Sequence, residues 1–256
     1  MPDSNSPAVS LVVITRDASA QLAECLASAT FADEIVVVDS GSSDDTVQIA
    51  TSRGARVIEQ SWLGFGAQKN FAAAQARNDW ILALDADERV SQPLADAIRV
   101  VLVQPRHCAY AMRRRNRFLG RWLAHGEGYP DWNVRLFDRR RARWSDDPVH
   151  EHVVADGSVG RLEGDLLHAS AESLDAYIAK QNRYTTLQAE AMHARGERAG
   201  VARMVMSPPL RFLRFYVLRA GFLDGAAGFA HIVIGCFNSF CKYAKLRALR
   251  ASAPNR

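Results

Sequence analysis

The stretch that decides the fold is residues 80–88, which read Trp-Ile-Leu-Ala-Leu-Asp-Ala-Asp-Glu. The apolar run predicts a buried strand, and two carboxylates, Asp85 and Asp87, follow where that strand ends. Because a strand that crosses a core can carry acids only at its open end, we expect this pair at the edge of a sheet. Carboxylate oxygens at such an edge suit Mg²⁺ or Mn²⁺ shared with a diphosphate.

A second strand of the same design lies upstream. Residues 34–44 read Glu-Ile-Val-Val-Val-Asp-Ser-Gly-Ser-Ser-Asp, so a β-branched run ends at Asp39 and a Gly/Ser loop follows. A single pair of surface acids is usually only solvated, and Asp-x-Asp alone is therefore a weak signal. Two strand ends that present acids to one edge predict a site for a polar ligand.

Strand and helix patterns alternate around these two stretches. Strands are predicted over residues 10–15, 35–38, 55–58 and 80–84, and helices over 20–29, 46–52, 66–75 and 91–103. This order predicts an α/β fold with a mostly parallel, Rossmann-like sheet whose ligands bind at the carboxyl ends of the strands. Strand-like segments at 109–113, 134–137 and 152–154 predict an α+β extension of that sheet. Residues 172–195 predict a long amphipathic helix.

Composition bounds the class of protein. The 256 residues are 48% hydrophobic and 23% charged, which argues against disorder and allows a sizeable core. The four cysteines form no Cys-x-x-Cys pair, and residues 1–7 lack the basic and apolar regions of a secretion signal, so we expect a cytoplasmic chain. The net charge of +4 is unevenly spread, because residues 113–143 and 203–250 are rich in arginine; this spread predicts an anionic partner.

The C-terminal part differs in kind, and we predict a catalytic domain over residues 1–170 and a helical region over 171–256. Residues 225–241 carry no formal charge and are flanked by arginines and lysines. The run contains His231, Asn238 and Ser239 and is shorter than the roughly 20 apolar residues of a membrane span. A basic, aromatic-rich helical pair that lies on an anionic membrane surface is favoured. A membrane span, and a helical lid or dimer face, are the alternatives.

Four blocks together resemble family 2 glycosyltransferases of the GT-A fold: Thr15, residues 36–46, residues 64–70 and residues 84–88. More narrowly, the chain is similar over residues 10–190 to bacterial lipopolysaccharide core β-glucosyltransferases that act on inner-core heptose. The resemblance implies an inverting, metal-dependent hexosyltransferase. It also implies UDP-glucose as donor, and a lipid-linked saccharide as acceptor at the cytoplasmic face of the inner membrane.

The donor half of the site is predicted from strand ends. Asp39 is placed to accept hydrogen bonds from uracil or ribose, with Thr15 on the neighbouring strand end; the alternative for Asp39 is a helix cap. Lys69 lies early in a helix where a cation meets diphosphate oxygens, unless it is an ordinary solvated lysine. Asp85 and Asp87 share one side of the strand.

The resemblance implies that the first acid of the pair faces the ribose and the last holds Mg²⁺ or Mn²⁺. His168 is a candidate for a further metal ligand, although histidines near strands often bond backbone carbonyls instead. Glu88 is expected to form a local ion pair in the loop.

The acceptor half rests on two blocks downstream. An inverting transfer needs a base, and Glu151 is the first candidate, since the resembled enzymes carry a similar Pro-Val-His-Glu block. Asp131 is the second candidate, or it binds acceptor hydroxyls while Tyr129 and Trp132 stack on sugar rings; a proline turn with core aromatics is the alternative. Arg114 belongs to an arginine cluster that suits acceptor phosphates or is simply solvated.

Three other functions compete with this reading. A nucleotidyltransferase normally has a glycine-rich loop after its first strand, whereas residues 15–18 read Thr-Arg-Asp-Ala. A polyprenyl-phosphate sugar transferase of the same fold shares the acid constellation, but its phosphate acceptor needs no base. A nucleic-acid-binding role is disfavoured, because the arginine-rich segments show neither a helix-turn-helix nor a basic and aromatic sheet pattern.

Overall fold

The computed structural model describes residues 7–147, 151–169 and 173–251. The chain divides into two compact units, one with the described residues of 1–115 and 131–171, and the other with those of 116–130 and 172–256. The boundary predicted at residue 170 stays a prediction. Residues 116–130 belong to the same unit as the C-terminal helices. No local sequence pattern predicts this grouping.

The parallel half of the first unit follows the predicted alternation closely. Its strands and helices are β1 (Val9–Thr15), α1 (Ser19–Ser28), β2 (Glu34–Asp39), α2 (Thr46–Ser52), β3 (Arg56–Glu59), α3 (Phe65–Gln75) and β4 (Trp80–Asp85). The strands pair in parallel in the order β3-β2-β1-β4. All four carboxyl ends therefore lie at one edge, as the sequence predicts.

The sheet continues as an extension with antiparallel pairing. The further elements are β5 (Glu88–Val90), α4 (Gln92–Val103), β6 (Ala109–Phe118), β7 (Arg121–Trp122), β8 (Asp131–Asp138), β9 (Ala142–Trp144), β10 (Val153–Ala155) and β11 (Val159–His168). From β4 the order runs β8-β6-β11-β5, while β9 and β10 form a separate two-stranded sheet and β7 pairs with the end of β6. The predicted α/β class with an α+β extension is confirmed.

Both faces of the parallel strands are covered, which explains their continuous apolar runs. Alternate side chains point to opposite sides, so Leu11 and Leu82 pack in one cluster with residues of α1 and α4. Val12 and Ile81 pack in the other cluster, beside Trp144 and the alanines of α3. The acids at the strand ends lie just beyond these two layers.

The second unit is mainly helical. It contains α5 (Leu174–Ala194) and α6 (Val201–Phe212), which continues as the π-helical segment Leu213–Leu218. A short 3-10 turn, Gly221–Asp224, then leads into α7 (Gly225–Ala251). The predicted helix 172–195 and the predicted C-terminal helices are present.

No single helix within the described residues has both the length and the apolar composition to cross a bilayer. Val201–Leu218 and Gly221–Ala251, which meet at a bend of 76°, satisfy those two criteria only when taken together.

Candidate functional site

Asp39 builds a tight turn at the end of β2. Its Oδ2 accepts the backbone N–H groups of Gly41 at 2.9 Å and Ser42 at 2.8 Å, and Gly41 adopts φ +84°. Its Oδ1 accepts the hydroxyls of Ser42 and of Thr15, which lies opposite Asp39 in the β1–β2 register. An ionised carboxylate has about four acceptor positions. A ligand at Asp39 therefore has to replace one of the hydroxyl bonds on Oδ1.

Lys69 lies on α3 and is buried, so it is not an ordinary solvated lysine. Its Nζ lies 3.0 Å from Oδ1 of Asp85 and 2.9 Å from Oε1 of Glu151. The ammonium also sits 4.4 Å from the centre of the Trp144 ring, within the range of a cation–π contact. The structure thus brings one predicted donor residue, Asp85, and the first candidate base, Glu151, to the same lysine.

Arg135, on β8, is a site residue that the sequence analysis missed. It is 4% exposed, and its Nη2 lies 2.7 Å from both Oδ2 of Asp85 and Oε1 of Glu88. Burial opposes the charge of Arg135, but the two carboxylates outweigh it and raise the pKa of Arg135 above its usual range. The sequence offers one sign of its role, because a single arginine stands between Val134 and Leu136 in a predicted strand.

Asp85 is the meeting point of these two cations. Desolvation alone would raise its pKa, yet the charges of Arg135 and Lys69 hold the pKa of Asp85 well below its usual range. Both carboxylate oxygens are therefore already paired, Oδ1 with Lys69 and Oδ2 with Arg135.

Glu88 is fully buried, so the expectation of a local loop ion pair is wrong. It accepts the backbone N–H of Asp85 at 3.1 Å, pairs with Arg135 and lies 3.6 Å from Arg114. Arg114 in turn holds Asp131 through Nε at 3.0 Å and Nη2 at 2.9 Å. A burial this complete requires such pairing, because an unpaired buried charge is very costly.

These contacts join into one line of alternating charges, which we call the charge chain. Its members in order are Glu151, Lys69, Asp85, Arg135, Glu88, Arg114 and Asp131. The two candidate bases are its ends, and the strand-end acid Asp85 is its middle. Four acids against three cations leave a formal charge of −1, which suits the approach of a cation.

Two buried donors beside the charge chain lack an acceptor. Nε of Arg135 and Nε1 of Trp144 have no hydrogen-bond partner within the part of the chain that the structure describes. Buried N–H groups are nearly always bonded to protein, water or ligand. The site therefore keeps unused hydrogen-bonding capacity at the edge where a polar ligand is predicted.

Asp87 pairs with His168 rather than with the charge chain. Oδ2 of Asp87 lies 3.1 Å from Nε2 of His168, at the end of β11. Burial would raise the pKa of Asp87, but its hydrogen bond and charge interaction with His168 lower it. Both residues are candidate metal ligands from the sequence alone, although the sequence does not predict β11 itself.

Of the three predicted metal ligands, Asp87 and His168 contact each other, whereas Asp85 is paired with cations instead. Over residues 7–147, 151–169 and 173–251 there is no cluster of three or more His, Cys, Asp or Glu side chains fit to hold a metal ion. A carboxylate and an imidazole, Asp87 and His168, are suitable donors for Mn²⁺ or Mg²⁺. They fit such an ion if a diphosphate supplies further oxygen ligands, while Asp85 is occupied by its cations.

The predicted acceptor residues fall in different surroundings. The half-exposed Trp132 lies 4.7 Å from the Arg161 guanidinium and 6.0 Å from that of Arg113, so cations contact its ring. Tyr129 lies in the second unit, where its carbonyl oxygen accepts a bond from Arg219 at 3.2 Å. Pro148 to His150, the first part of the block before Glu151, lie outside the described residues.

Gly66 sets the distance between α3 and the segment that carries Glu151. A Cβ at this position would collide with the carbonyl oxygen of Ser145 and come within 3.8 Å of Cβ of Glu151. Gly66→Ala is therefore expected to lower the free energy of unfolding by about 1–3 kcal/mol, because backbone must shift. Chemical denaturation measures this. Gly200→Ala, where an added Cβ meets nothing within 4 Å, is the control, and equal stability of both variants would contradict the expectation.

Comparison with known proteins identifies the family. The family model described as Glycosyl transferase family 2 matches residues 10–157. An uncharacterized glycosyltransferase of Rickettsia typhi is 32% identical over 260 residues, which cover 96% of this chain and 89% of that protein. The lipopolysaccharide core biosynthesis glycosyltransferase LpsC of Rhizobium meliloti is 30% identical over 246 residues, 93% of this chain and 91% of that protein.

A solved structure agrees with the fold. The mannosyltransferase PcManGT from Pyrobaculum calidifontis, solved with GDP-Man and Mn²⁺, is similar with a TM-score of 0.52 and 17% identity, covering 100% of this chain and 79% of that one. The strand order, the strand-end acids and the sequence relatives lead to one conclusion. The chain belongs to glycosyltransferase family 2 and has the GT-A fold.

Proposed function

We propose that the chain transfers glucose from UDP-glucose, with inversion, to an inner-core heptose of lipopolysaccharide. The observation that carries this proposal is the charge chain, which places Glu151, Lys69 and the strand-end acid Asp85 in contact. The similarity to LpsC, described as a lipopolysaccharide core biosynthesis glycosyltransferase, supports the acceptor class. We place the reaction at the cytoplasmic face of the inner membrane, where a lipid-linked acceptor is available.

The donor binds at the strand ends in this proposal. Uridine contacts Asp39, displacing the hydroxyl of Thr15 or Ser42 from Oδ1, and the ribose approaches Asp85. Lys69, whose ammonium has a third N–H besides those that face Asp85 and Glu151, meets the diphosphate. Asp87 and His168 would hold Mg²⁺ or Mn²⁺, which when bound would neutralise charge on the leaving diphosphate.

The transfer itself needs one displacement. The acceptor hydroxyl oxygen attacks the anomeric carbon, the bond from that carbon to the diphosphate oxygen breaks, and UDP leaves with the bonding electrons. Glu151 takes the hydroxyl proton, which general-base catalysis requires in this step. Lys69 orients Glu151 through the 2.9 Å contact. A single displacement inverts the configuration at the anomeric carbon.

The deciding experiment is titration of the full-length protein with UDP-, GDP- and CMP-sugars, with and without Mn²⁺ or Mg²⁺. We expect UDP-glucose to bind only with metal. Asp87→Ala is expected to weaken that binding by at least about 100-fold, because it removes one of the two protein donors. Isothermal titration calorimetry and product detection measure both effects.

The matched control is Asp96→Ala, which removes an exposed carboxylate on α4 that pairs with Arg99. It should leave donor binding unchanged. If no sugar nucleotide binds under any condition, the strand-end acids serve another ligand and the proposal is wrong.

A further inference from the structure

The helices of the second unit expose two apolar stripes. One runs along α6 and its π-helical continuation, and the other along α7. Their members are Met206, Leu210, Leu213 and Val217 on the first stripe, and Phe229, Val233, Phe237 and Phe240 on the second. The spacing of three or four residues places each set on one helix face. Contiguous exposed apolar surface of this kind marks an interaction site rather than ordinary solvent-facing surface.

The stripes converge at the bend between the two helices, which we call the apolar corner, residues 217–223. Its most exposed side chains are Leu218, at 74% exposure, Leu223 and Phe222. Beside it, Tyr216 stacks on Phe212 at 4.8 Å and contacts Phe222 and Phe229 edge-on. The aromatic rings thus pack on one another at the surface.

The apolar corner is held in place by polar contacts beneath it. Asp224 is buried and accepts the backbone N–H groups of Ala124 and His125, at 3.0 and 2.8 Å. Gly221 lies so close to the carbonyl oxygen of Phe215 that an added Cβ would approach it to 2.7 Å. Since buried hydrogen bonds and a close backbone contact fix this geometry, the exposure of Leu218 and its neighbours belongs to the folded structure.

Charge identifies the partner. Residues 201–251 contain eight basic side chains, Arg203, Arg211, Arg214, Arg219, Lys242, Lys245, Arg247 and Arg250, and a single acid, Asp224, which is buried. The exposed surface of this segment therefore carries positive charge only. A second copy of the chain that presented the same surface would meet like charges, whereas anionic lipid headgroups complement them.

We propose that the apolar corner inserts into one leaflet of an anionic bilayer, with α6 and α7 lying in the interface as an anchor. The 76° bend between the helices suits an in-plane arrangement. Arg214, exposed beside the apolar corner, contacts the headgroups while Leu218, Phe222 and Leu223 enter the acyl region. This inference deepens the proposed membrane location and does not depend on which sugar is transferred.

The test is co-sedimentation of the full-length protein with phosphatidylcholine vesicles, with and without phosphatidylglycerol. We expect binding to the anionic vesicles that weakens as salt is added. The triple variant Leu218→Ser, Phe222→Ser, Leu223→Ser is expected to bind at least about tenfold more weakly. Arg214→Gln is expected to weaken binding only to the anionic vesicles.

The matched control is Val100→Ser with Val103→Ser, which removes two exposed apolar side chains from α4. It should bind vesicles as the unsubstituted protein does. Phe229→Ser with Phe237→Ser repeats the test on α7 if the triple variant does not fold.

Three outcomes would overturn the anchor. These are no vesicle binding by the unsubstituted protein, unchanged binding by the apolar variants, or conversion of a dimer to a monomer by those variants with vesicle binding intact. Titration of both the unsubstituted protein and the triple variant with UDP-glucose distinguishes failure of the anchor from failure of the proposed transfer. If the unsubstituted protein binds UDP-glucose but no vesicles, the anchor is wrong and the proposed transfer is unaffected.

Discussion

Arg135→Met is expected to destabilise the chain by about 3–5 kcal/mol and to abolish sugar transfer, because it removes the buried cation that Asp85 and Glu88 share. Glu88 is fully buried and would keep only the more distant Arg114, at 3.6 Å. Asp85 would keep Lys69 alone. The free energy of unfolding from chemical denaturation measures the first effect, and product formation from UDP-glucose measures the second.

The control for this variant is Arg143→Met, which removes an exposed guanidinium on β9 that lies 3.9 Å from the equally exposed carboxylate of Asp146. Exposed ion pairs contribute little, so its unfolding midpoint should stay close to that of the unsubstituted protein. If Arg135→Met and Arg143→Met unfold alike, the charge chain does not stabilise the first unit. Arg135→Met with Glu88→Gln should recover part of the loss, since the fully buried orphan charge is then gone.

The parallel half of the fold was predictable because its signals are local. Continuous apolar runs that end in Asp39 and Asp85 mark buried strands and their open ends at once. The antiparallel extension was less predictable. β11 mixes Gly160, Gly164 and acidic residues with its apolar ones, so its alternation is weak, and its pairing with β5 depends on residues far apart in sequence.

The charge chain shows the same limit at the level of single residues. Thr15, Asp39 and Lys69 could be proposed because each stands beside a recognisable strand end or helix start. The partners of Asp85 could not, since Arg135 lies 50 residues away and reaches it only through the β4–β8 pairing. Asp87 and His168, 81 residues apart, were both named from their chemistry, but their 3.1 Å contact needed the structure.

Glu151→Gln is expected to reduce kcat by about 10²–10⁴-fold while leaving the Kd of UDP-glucose nearly unchanged, because only the proton transfer is lost. The amide keeps the size of the side chain but cannot take the acceptor proton. Asp131→Asn is the comparison at the other end of the charge chain. Asp131 is held by two bonds from Arg114, so we expect it to position the acceptor and its loss to raise KM more than it lowers kcat.

Variants of Lys69 test whether Glu151 is a catalytic base or only forms an ion pair. If Lys69 orients a working base, Lys69→Met and Glu151→Gln remove the same step, and the double variant should be hardly slower than the worse single variant. Lys69→Arg should restore part of kcat, because it keeps the cation between Asp85 and Glu151. If instead the reductions in kcat of the two single variants multiply in the double variant, Lys69 acts on the donor diphosphate alone. Full kcat in Glu151→Gln, together with transfer to a polyprenyl phosphate, would replace the heptose acceptor by a phosphate, which attacks without a base.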